Sequence, residues 1–257
     1  MHIQRYFPRE ALKPFIKQFV LIESEHMQEN RILPDTSIVL AFRCRGLVKS
    51  KGDKENIVLP SSVITGIRTV SRTMHYTSQT TNLLVVFTEQ GASAFFKEPL
   101  FELAGISTSL DNLIPAWKVR DIEAQLAEVQ NTIQRIRVVE QFLMGELKVR
   151  EPDLLILNSL QKIRLAQGNI RIKELVQDVP LSRDPFEKRF RRVVGTSPKQ
   201  FASIVRLRNF ITTYSPAQSL TEAAYDAGYF DQSHFIKSFR LFTGQAPHDF
   251  FRSASFW

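Results

Sequence analysis

The chain has 257 residues, of which 43% are hydrophobic and 23% are charged, and its formal net charge is +8. This composition is typical of a globular protein with one large domain or two ordinary ones, and no apolar run approaches the roughly 20 residues of a membrane-spanning helix. Charged residues interrupt the N-terminal segment, which argues against a secretory signal, and the single cysteine, Cys44, excludes an internal disulfide and a cysteine-rich zinc site and favours a cytoplasmic location.

The first 110 residues contain short apolar segments that are rich in β-branched and aromatic residues. The clearest segments are 37–42 and 81–87, while 56–59 and 62–67 are weaker candidates for strands. Strands at this spacing predict a small barrel or sandwich. The apolar residues within 91–105 predict a helix after the last strand.

Residues that could carry chemistry are scattered through this region. His2, His26 and His75 are isolated from one another and lack the spacing of a metal site. Two arginines flank Cys44 and favour its thiolate, but a packing role is the better interpretation of a lone cysteine in a strand. The chain lacks a nucleophile elbow, a phosphate-binding loop and a dinucleotide-binding motif. We therefore expect no cofactor, no metal and no enzymatic activity.

A single long helix is predicted from about Val119 to Val149. Its apolar residues alternate four and three apart, as in a heptad seam, with Glu140 in the one polar position. The seam consists of Ile122, Leu126, Val129, Ile133, Ile136, Leu143 and Leu147. Two interpretations stay open and are compatible: the helix packs on its own domain, or the seam is the contact of a homodimer.

A domain boundary is predicted directly after this helix. Pro152 disfavours helix in the residue before it, and Asp153 is a good N-cap for a new helix. The predicted domains are therefore residues 1–150 and 151–257. The second carries 15 Lys+Arg against 10 Asp+Glu, or +5, whereas the longer first domain carries 19 against 16, or +3. A basic segment attracts polyanions, of which nucleic acid is the usual one.

The second domain contains an internal repeat with an offset of 49 residues. The paired positions are Phe186 and Phe235, Phe190 and Phe239, Gly195 and Gly244, Pro198 and Pro247, and Phe201 and Phe250. Each copy predicts a helix, a turn and a second helix, which begins after Ser182 in the first unit and after Asp231 in the second. A further helix, over about 198–214, joins the two units.

This pattern resembles the AraC/XylS family of bacterial transcription regulators. The matching residues are Ser182, Phe186, Lys188, Phe190, Gly195 and Pro198 in the first unit, and Ala224, the segment 228–235, Phe239, Gly244 and Pro247 in the second. The resemblance covers residues 153–252. It implies an α+β fold, in which a cupin-like β-barrel or sandwich with a long helix precedes an all-α domain of two helix-turn-helix units joined by a linker helix. The implied function is sequence-specific DNA binding, with the second helix of each unit in the major groove.

Carried over by position, the resemblance assigns base contacts to the outer face of those second helices. These residues are Asp184, Glu187 and Lys188 in the first unit, and Gln232, Ser233, His234 and Lys237 in the second. On charge and placement, the candidates for phosphate contacts are Arg183, Arg191, Arg192, Lys199 and Arg206. The first unit departs from the family pattern at Val176, Pro180 and Asp184, where alanine, glycine and a basic residue are usual. We therefore expect the second unit to be the better reader of bases.

The resemblance also implies that residues 1–150 sense a small molecule, which shifts a dimer between DNA-binding states. From placement alone, the candidate pocket residues are Arg31, Phe42, Arg43, Arg68 and Phe87. The implied partners are double-stranded promoter or operator DNA, a second copy of the chain, an unidentified effector and, for an activator, RNA polymerase, but no membrane. Two alternatives remain: an N-terminal domain that only dimerises or contacts a protein partner, and a cupin-type enzyme fused to a DNA-binding module, which the missing histidine cluster disfavours.

Overall fold

The computed structural model describes residues 1–51, 56–148, 151–177, 179–215 and 217–252. The predicted end of the long helix at Val149 and the predicted domain boundary at residue 150 lie outside these ranges. Within them, no helix combines the length and the apolar character needed to cross a membrane.

The N-terminal region is a sandwich of two antiparallel sheets. Its strands are β1 (His2–Tyr6), β2 (Ile16–Ser24), β3 (Gln28–Ile32), β4 (Val39–Arg45), β5 (Val48–Lys51), β6 (Asn56–Val58), β7 (Ser62–Thr65), β8 (Arg72–Tyr76), β9 (Thr80–Phe87) and β10 (Ser107–Ser109). One sheet has the order β1-β2-β9-β4-β7-β10 and the other the order β3-β8-β5-β6. Neither sheet closes on itself, so the structure is the sandwich of the two predicted alternatives and not the barrel.

The six-stranded sheet is apolar on both faces, which places it in the middle of the molecule. Successive side chains of a strand point to opposite faces. In β2, Phe19 and Leu21 therefore join the large core that extends to the helices, while Val20 and Ile22 lie between the two sheets with Met74 of β8. The smaller cluster between the sheets is thus separate from the main core.

The segment predicted as one long helix forms two helices, α1 (Ala116–Glu128) and α2 (Thr132–Glu146), that pack on each other. The backbone becomes extended at Val129, and the side chain of Asn131 then caps α2 by accepting hydrogen bonds from the amides of Ile133 and Gln134. An N-cap of this kind satisfies backbone donors that have no partner within the helix. The heptad pattern therefore spans a helical hairpin and not a continuous rod.

This break changes the surroundings of the predicted seam. Its members Ile122, Leu126, Ile136 and Leu143 are buried in the chain's own core, Val129 and Leu147 are half-buried, and Ile133 is exposed. Glu140, the polar position of the seam, is buried and accepts hydrogen bonds from the backbone amide and the guanidinium of Arg9, at 2.8 and 3.0 Å. The pair ties α2 to the segment that follows β1.

The secondary-structure elements of the described C-terminal region are all helices. Its helices are α3 (Leu154–Leu165), α4 (Ile172–Val176), α5 (Arg183–Val194), α6 (Pro198–Thr213), α7 (Leu220–Asp226), α8 (Gln232–Thr243) and α9 (Pro247–Arg252). Helices α4 and α5 form the first helix-turn-helix unit, α7 and α8 form the second, and α6 is the linker helix between them. The predicted succession of helices and turns is confirmed, although α4 ends three residues before the predicted end at Val179.

The first unit packs directly on the sandwich. The helix predicted over 91–105 is replaced by two 3₁₀ helices, Gly91–Ala94 and Leu100–Leu103, and α5 packs on both. At the end of α5, a Cβ atom on Gly195 would lie 3.1 Å from the carbonyl oxygen of Leu100, and the residue has a φ of +91°. Glycine is therefore required here both by the left-handed backbone and by the close approach.

Candidate nucleic-acid interface

The recognition helix of the second unit, α8, begins and ends with well-formed caps. The carboxylate of Asp231 accepts a hydrogen bond of 2.7 Å from the amide of His234, and Gly244 closes the helix with a φ of +78°. On its inner face, Phe235 and Phe239 are buried against Phe210 of the linker helix. Caps and aromatic packing hold the helix in one orientation, which a base-reading element requires.

The outer face of α8 presents the four residues that the sequence assigns to base contacts. Gln232, Ser233, His234 and Lys237 are all exposed. The side chains of Gln232, Ser233 and Lys237 have no hydrogen-bond or ion-pair partner among the described residues, and the ring of His234 lies 5.8 Å from that of Tyr229. In the major groove, glutamine pairs with adenine and lysine with guanine, while serine suits either. This face is therefore free to contact DNA.

The recognition helix of the first unit, α5, has a similar frame but a different outer face. Phe186 and Phe190 are buried, and Asp184 and Lys188 are exposed. Glu187 is half-buried, and its carboxylate accepts a hydrogen bond of 2.7 Å from the guanidinium of Arg183. A residue predicted to contact a base and one predicted to contact phosphate are thus paired with each other.

Two of the arginines predicted to contact phosphate lie against aromatic rings of the protein. The guanidinium of Arg206 lies 4.3 Å from the ring centre of Tyr229 and donates to the carbonyl oxygen of Gly228 at 3.4 Å. Burial raises the pKa of Tyr229, and the nearby Arg206 opposes that shift. Arg191 lies over the ring of Phe101, with 5.4 Å between the guanidinium carbon and the ring centre. Both contacts follow from tertiary packing that the sequence pattern did not predict.

The remaining phosphate candidates lie at the surface. Lys199 is exposed in the first turn of α6, where the amides of a helix N-terminus favour anions. Arg192 is exposed on α5, beside a cleft between that helix and the sandwich. These two side chains have no ion-pair partner among the described residues and remain predicted phosphate contacts.

The turns of the two units differ where the sequence departs from the family pattern. In the second unit, Ala224 is fully buried and Gly228 takes a φ of +80°. The corresponding part of the first unit has the half-buried Val176 at the end of α4, and Pro180 in the turn that follows. The first helix of that unit has five residues, whereas α7 has seven.

A cavity of about 160 Å³ lies between the two sheets of the N-terminal sandwich. Of the predicted pocket residues, Arg43 and Arg68 line it. Phe42 and Phe87 lie in the main core on the opposite side of the six-stranded sheet, because their strand positions point away from the second sheet. Arg31, on β3, is half-buried and not among the residues that line the cavity.

One wall of this cavity also contacts the linker helix. The segment between β3 and β4 lines the cavity with Pro34 and Asp35. Arg208 of α6 donates to the carbonyl oxygen of Pro34 at 3.0 Å, and its guanidinium lies 3.6 Å from the carboxylate of Asp35. Sequence reasoning assigned Arg208 no role, because its partners lie far from it in the chain.

Comparison with known proteins finds two family matches in separate parts of the chain. Residues 175–253 match a family described as helix-turn-helix domain, and residues 4–109 match a domain family of unknown function. An uncharacterised HTH-type transcriptional regulator of Haemophilus influenzae is 27% identical over 129 residues, which are 49% of this chain and 42% of that protein. The chain thus spans less than half the length of this relative.

The chain shares little sequence identity with the solved structures that align with it. A crystal structure of ToxT from Vibrio cholerae aligns with a TM-score of 0.43 and 11% identity, over 99% of this chain and 100% of that one. ToxT with an unsaturated fatty acid bound aligns with a TM-score of 0.41 and 13% identity, over 95% and 96% of the two chains. The AraC-like transcriptional activator CuxR gives a TM-score of 0.29 and 10% identity, over 88% and 91%.

Proposed function

We propose that this chain, whose residues 175–253 belong to the helix-turn-helix domains of the AraC type, is a sequence-specific DNA-binding regulator of transcription controlled by a small molecule. The observation that carries the proposal is the outer face of α8. A rigid, capped helix presents exposed Gln232, Ser233 and Lys237, and none of these side chains is committed to another part of the described protein. Uncommitted polar groups on a fixed helix are what direct readout of base edges needs.

The first unit has a smaller part in base reading under this proposal. Asp184 and Glu187 repel phosphate, although either carboxylate could accept a hydrogen bond from cytosine. Lys188 is exposed and remains a candidate for a base contact, while Arg192 and Lys199 are the candidates for phosphate. The first unit then contacts the DNA backbone beside the base pairs that the second unit reads.

The effector is proposed to enter the cavity between the sheets. Its wall of Pro34 and Asp35 meets Arg208 of the linker helix, so a ligand that moves this wall also acts on the DNA-binding region. The second candidate function, an N-terminal domain that only dimerises or binds a protein, predicts that the cavity stays empty in the purified protein. Mass spectrometry of small molecules released from the natively purified protein distinguishes the two.

We further propose that the protein acts as a homodimer in the cytoplasm. If it activates transcription, it also contacts RNA polymerase. Ile133 on α2 and Trp117 on α1, which expose 45% and 63% of their surface, are with Met144 the exposed large apolar residues that the helical hairpin offers to a second copy. The oligomeric state of Ile133→Asp, measured by sedimentation, tests this contact. A variant that remains a dimer under conditions where the native chain dimerises excludes this face as the contact.

The DNA-binding proposal is tested by selecting bound DNA from a random library at moderate salt and sequencing it. A site with two conserved submotifs about one helical turn apart indicates that both units read bases. A single submotif indicates that the second unit reads alone while the first holds the backbone. Loss of all enrichment, with binding that depends only on salt, contradicts sequence-specific recognition.

A further inference from the structure

The cavity between the sheets has an apolar wall with a small number of polar groups. Leucine, isoleucine, valine and methionine supply eight of its twenty described lining residues, among them Leu59, Val63, Met74 and Leu84. Its volume of about 160 Å³ is close to that of the engineered cavity of roughly 150 Å³ that binds benzene. The apolar part of a ligand that fills it therefore has about six carbon atoms, the size of benzene.

Arg68 provides the cavity with a cation that has no hydrogen-bond or ion-pair partner among the described residues. Its Nη1 atom is buried and makes no hydrogen bond within the described part of the chain. Burial, together with the nearby Arg72, lowers the pKa of Arg68 to about 10. The side chain is thus still charged at neutral pH, and an uncompensated charge of this kind is costly to bury.

The other charged residues of the cavity are already satisfied. The guanidinium of Arg43 donates to the carbonyl oxygen of Leu59 and to the hydroxyl of Ser61, both at 2.9 Å. Asp35 is the one acid among the described lining residues, and it pairs with Arg208 of the linker helix and with the amide of Thr36. Neither residue compensates Arg68, so the cavity keeps a net attraction for an anion.

Two further side chains of the lining have buried atoms without partners. These are the hydroxyl of Ser37 and the amide oxygen of Asn82. The hydroxyl of Ser37 can donate a hydrogen bond to an anion, whereas the Oδ1 atom of Asn82 can only accept one, from a hydroxyl or another donor of the ligand. Buried polar groups in native proteins are normally hydrogen-bonded, so three such residues around one cavity indicate that a ligand belongs there.

We propose that the cavity binds a compact organic carboxylate with an apolar body of about six carbons, whose carboxylate is held by Arg68. A planar guanidinium matches a carboxylate in geometry and can donate two parallel hydrogen bonds to it. The apolar body replaces empty space against the hydrophobic wall, and the carboxylate supplies the charge that Arg68 lacks. This proposal deepens the proposed function, since it specifies the effector class for the same cavity.

The test is isothermal titration calorimetry of the full chain with sodium hexanoate and with hexanamide, which has nearly the same shape but no charge. Hydrogen bonds to a charged partner are stronger by an amount that corresponds to about tenfold or more in affinity. We therefore expect hexanoate to bind at least about tenfold more tightly than hexanamide. Palmitate, whose chain is too long for the cavity, serves as the size control and is expected to bind more weakly than hexanoate.

Variants of the lining residues test whether the difference between hexanoate and hexanamide arises in this cavity. Arg68→Gln is expected to reduce hexanoate binding to the level of hexanamide, Arg68→Lys to restore part of the difference, and Arg120→Gln, an exposed arginine on α1, to change nothing. If Arg68→Gln does not fold, Ala41→Leu replaces it, because the added carbons occupy the cavity that Ala41 lines and should abolish binding. Equal affinity for hexanoate and hexanamide, no binding of either, or undiminished binding by both Arg68→Gln and Ala41→Leu overturns the proposal.

The same preparation is assayed for DNA binding without ligand, by fluorescence anisotropy on the selected site. Specific DNA binding without carboxylate binding rejects the ligand assignment and leaves the regulator proposal intact. Carboxylate binding without specific DNA binding supports the pocket and rejects the regulator.

Discussion

The two helix-turn-helix units share one aromatic frame but differ in what surrounds their recognition helices. In the first, Phe186 and Phe190 of α5 are buried as Phe235 and Phe239 of α8 are in the second. Yet α5 packs on the 3₁₀ helices of the sandwich and carries paired charges on its outer face, whereas the polar side chains at the start of α8 are free. The repeated core residues therefore preserve a fold, while the residues between them decide how each copy can be used.

The shared frame predicts equal and large losses of stability when matched phenylalanines are removed. Phe239→Ala and its counterpart Phe190→Ala are each expected to lower the free energy of unfolding by about 3–5 kcal/mol through a core cavity. Thermal and urea unfolding of the full chain measure the effect, with Leu241→Ala, which removes a side chain that is 63% exposed, as the control. Unchanged melting of Phe239→Ala would show that this ring is not in a packed core.

The differing outer faces predict unequal losses of sequence preference. Lys237→Ala and Gln232→Ala in the second unit are expected to cost about 1–3 kcal/mol at the base pair that each contacts. Lys188→Ala, the counterpart of Lys237 in the first unit, should weaken binding with little change in preference, because Asp184 and Glu187 lie beside it on α5 and disfavour its close approach to DNA. Binding to a randomised-site library measures both. Wild-type preference in the two second-unit variants would refute the assignment of α8 to the groove, and equal effects in both units would refute the asymmetry.

The contact between Arg206 and Tyr229 predicts a structural role for a residue that charge alone assigns to phosphate. Arg206→Lys keeps the charge but loses the planar stack and the fixed bond to Gly228, and is expected to destabilise the second unit by about 0.5–2 kcal/mol. Unfolding and the salt dependence of DNA binding are measured on the same variant. Arg206→Gln, which removes the charge, is measured alongside, and a reduced salt slope with native stability in that variant would return Arg206 to the phosphate contacts.

The smallest expected effect concerns the ion pair on α5. Glu187→Gln removes a negative charge from the first unit and releases Arg183, so non-specific DNA affinity should rise by about two- to fivefold at low salt, where screening is weak. Anisotropy on unrelated DNA measures it, and Glu222→Gln on α7 is a control that alters a capping box away from α5. A fall in affinity confined to the selected site would instead indicate that Glu187 reads a cytosine.

The sequence predicts the C-terminal region well because its signals are local. The Asp231 cap, the turn glycines and the spaced phenylalanines all act within one or two helical turns, and α5 begins after Ser182 as predicted although that side chain makes no capping hydrogen bond. The strands β4, β6, β7 and β9 were likewise predicted from their own residues. By contrast, β1 and β8 contain no apolar run, and they become strands because β2, β3 and β5 pair with them.

The differences between expectation and structure have both local and long-range causes. The heptad pattern holds in α1 and in α2 separately, but the extended backbone at Val129 and the N-cap at Asn131 divide the predicted rod into a hairpin whose helices pack on each other. Arg206 and Arg191 remain predicted phosphate contacts, and each lies beside an aromatic ring from another segment, a contact that the sequence pattern did not predict. Of the pocket residues, Arg43 and Arg68 lie at the cavity, while Phe42 and Phe87 point to the other face of their sheet.

The wall formed by Pro34 and Asp35 has a thermodynamic consequence that reaches beyond the effector itself. If a ligand in the cavity changes the affinity for DNA through Arg208, then DNA must change the affinity for the ligand by the same factor. The operator is then an allosteric ligand of the sandwich. The concentration of small molecule that half-fills the cavity would differ between free and promoter-bound protein, and each binding site in a genome would set its own sensitivity to the same signal.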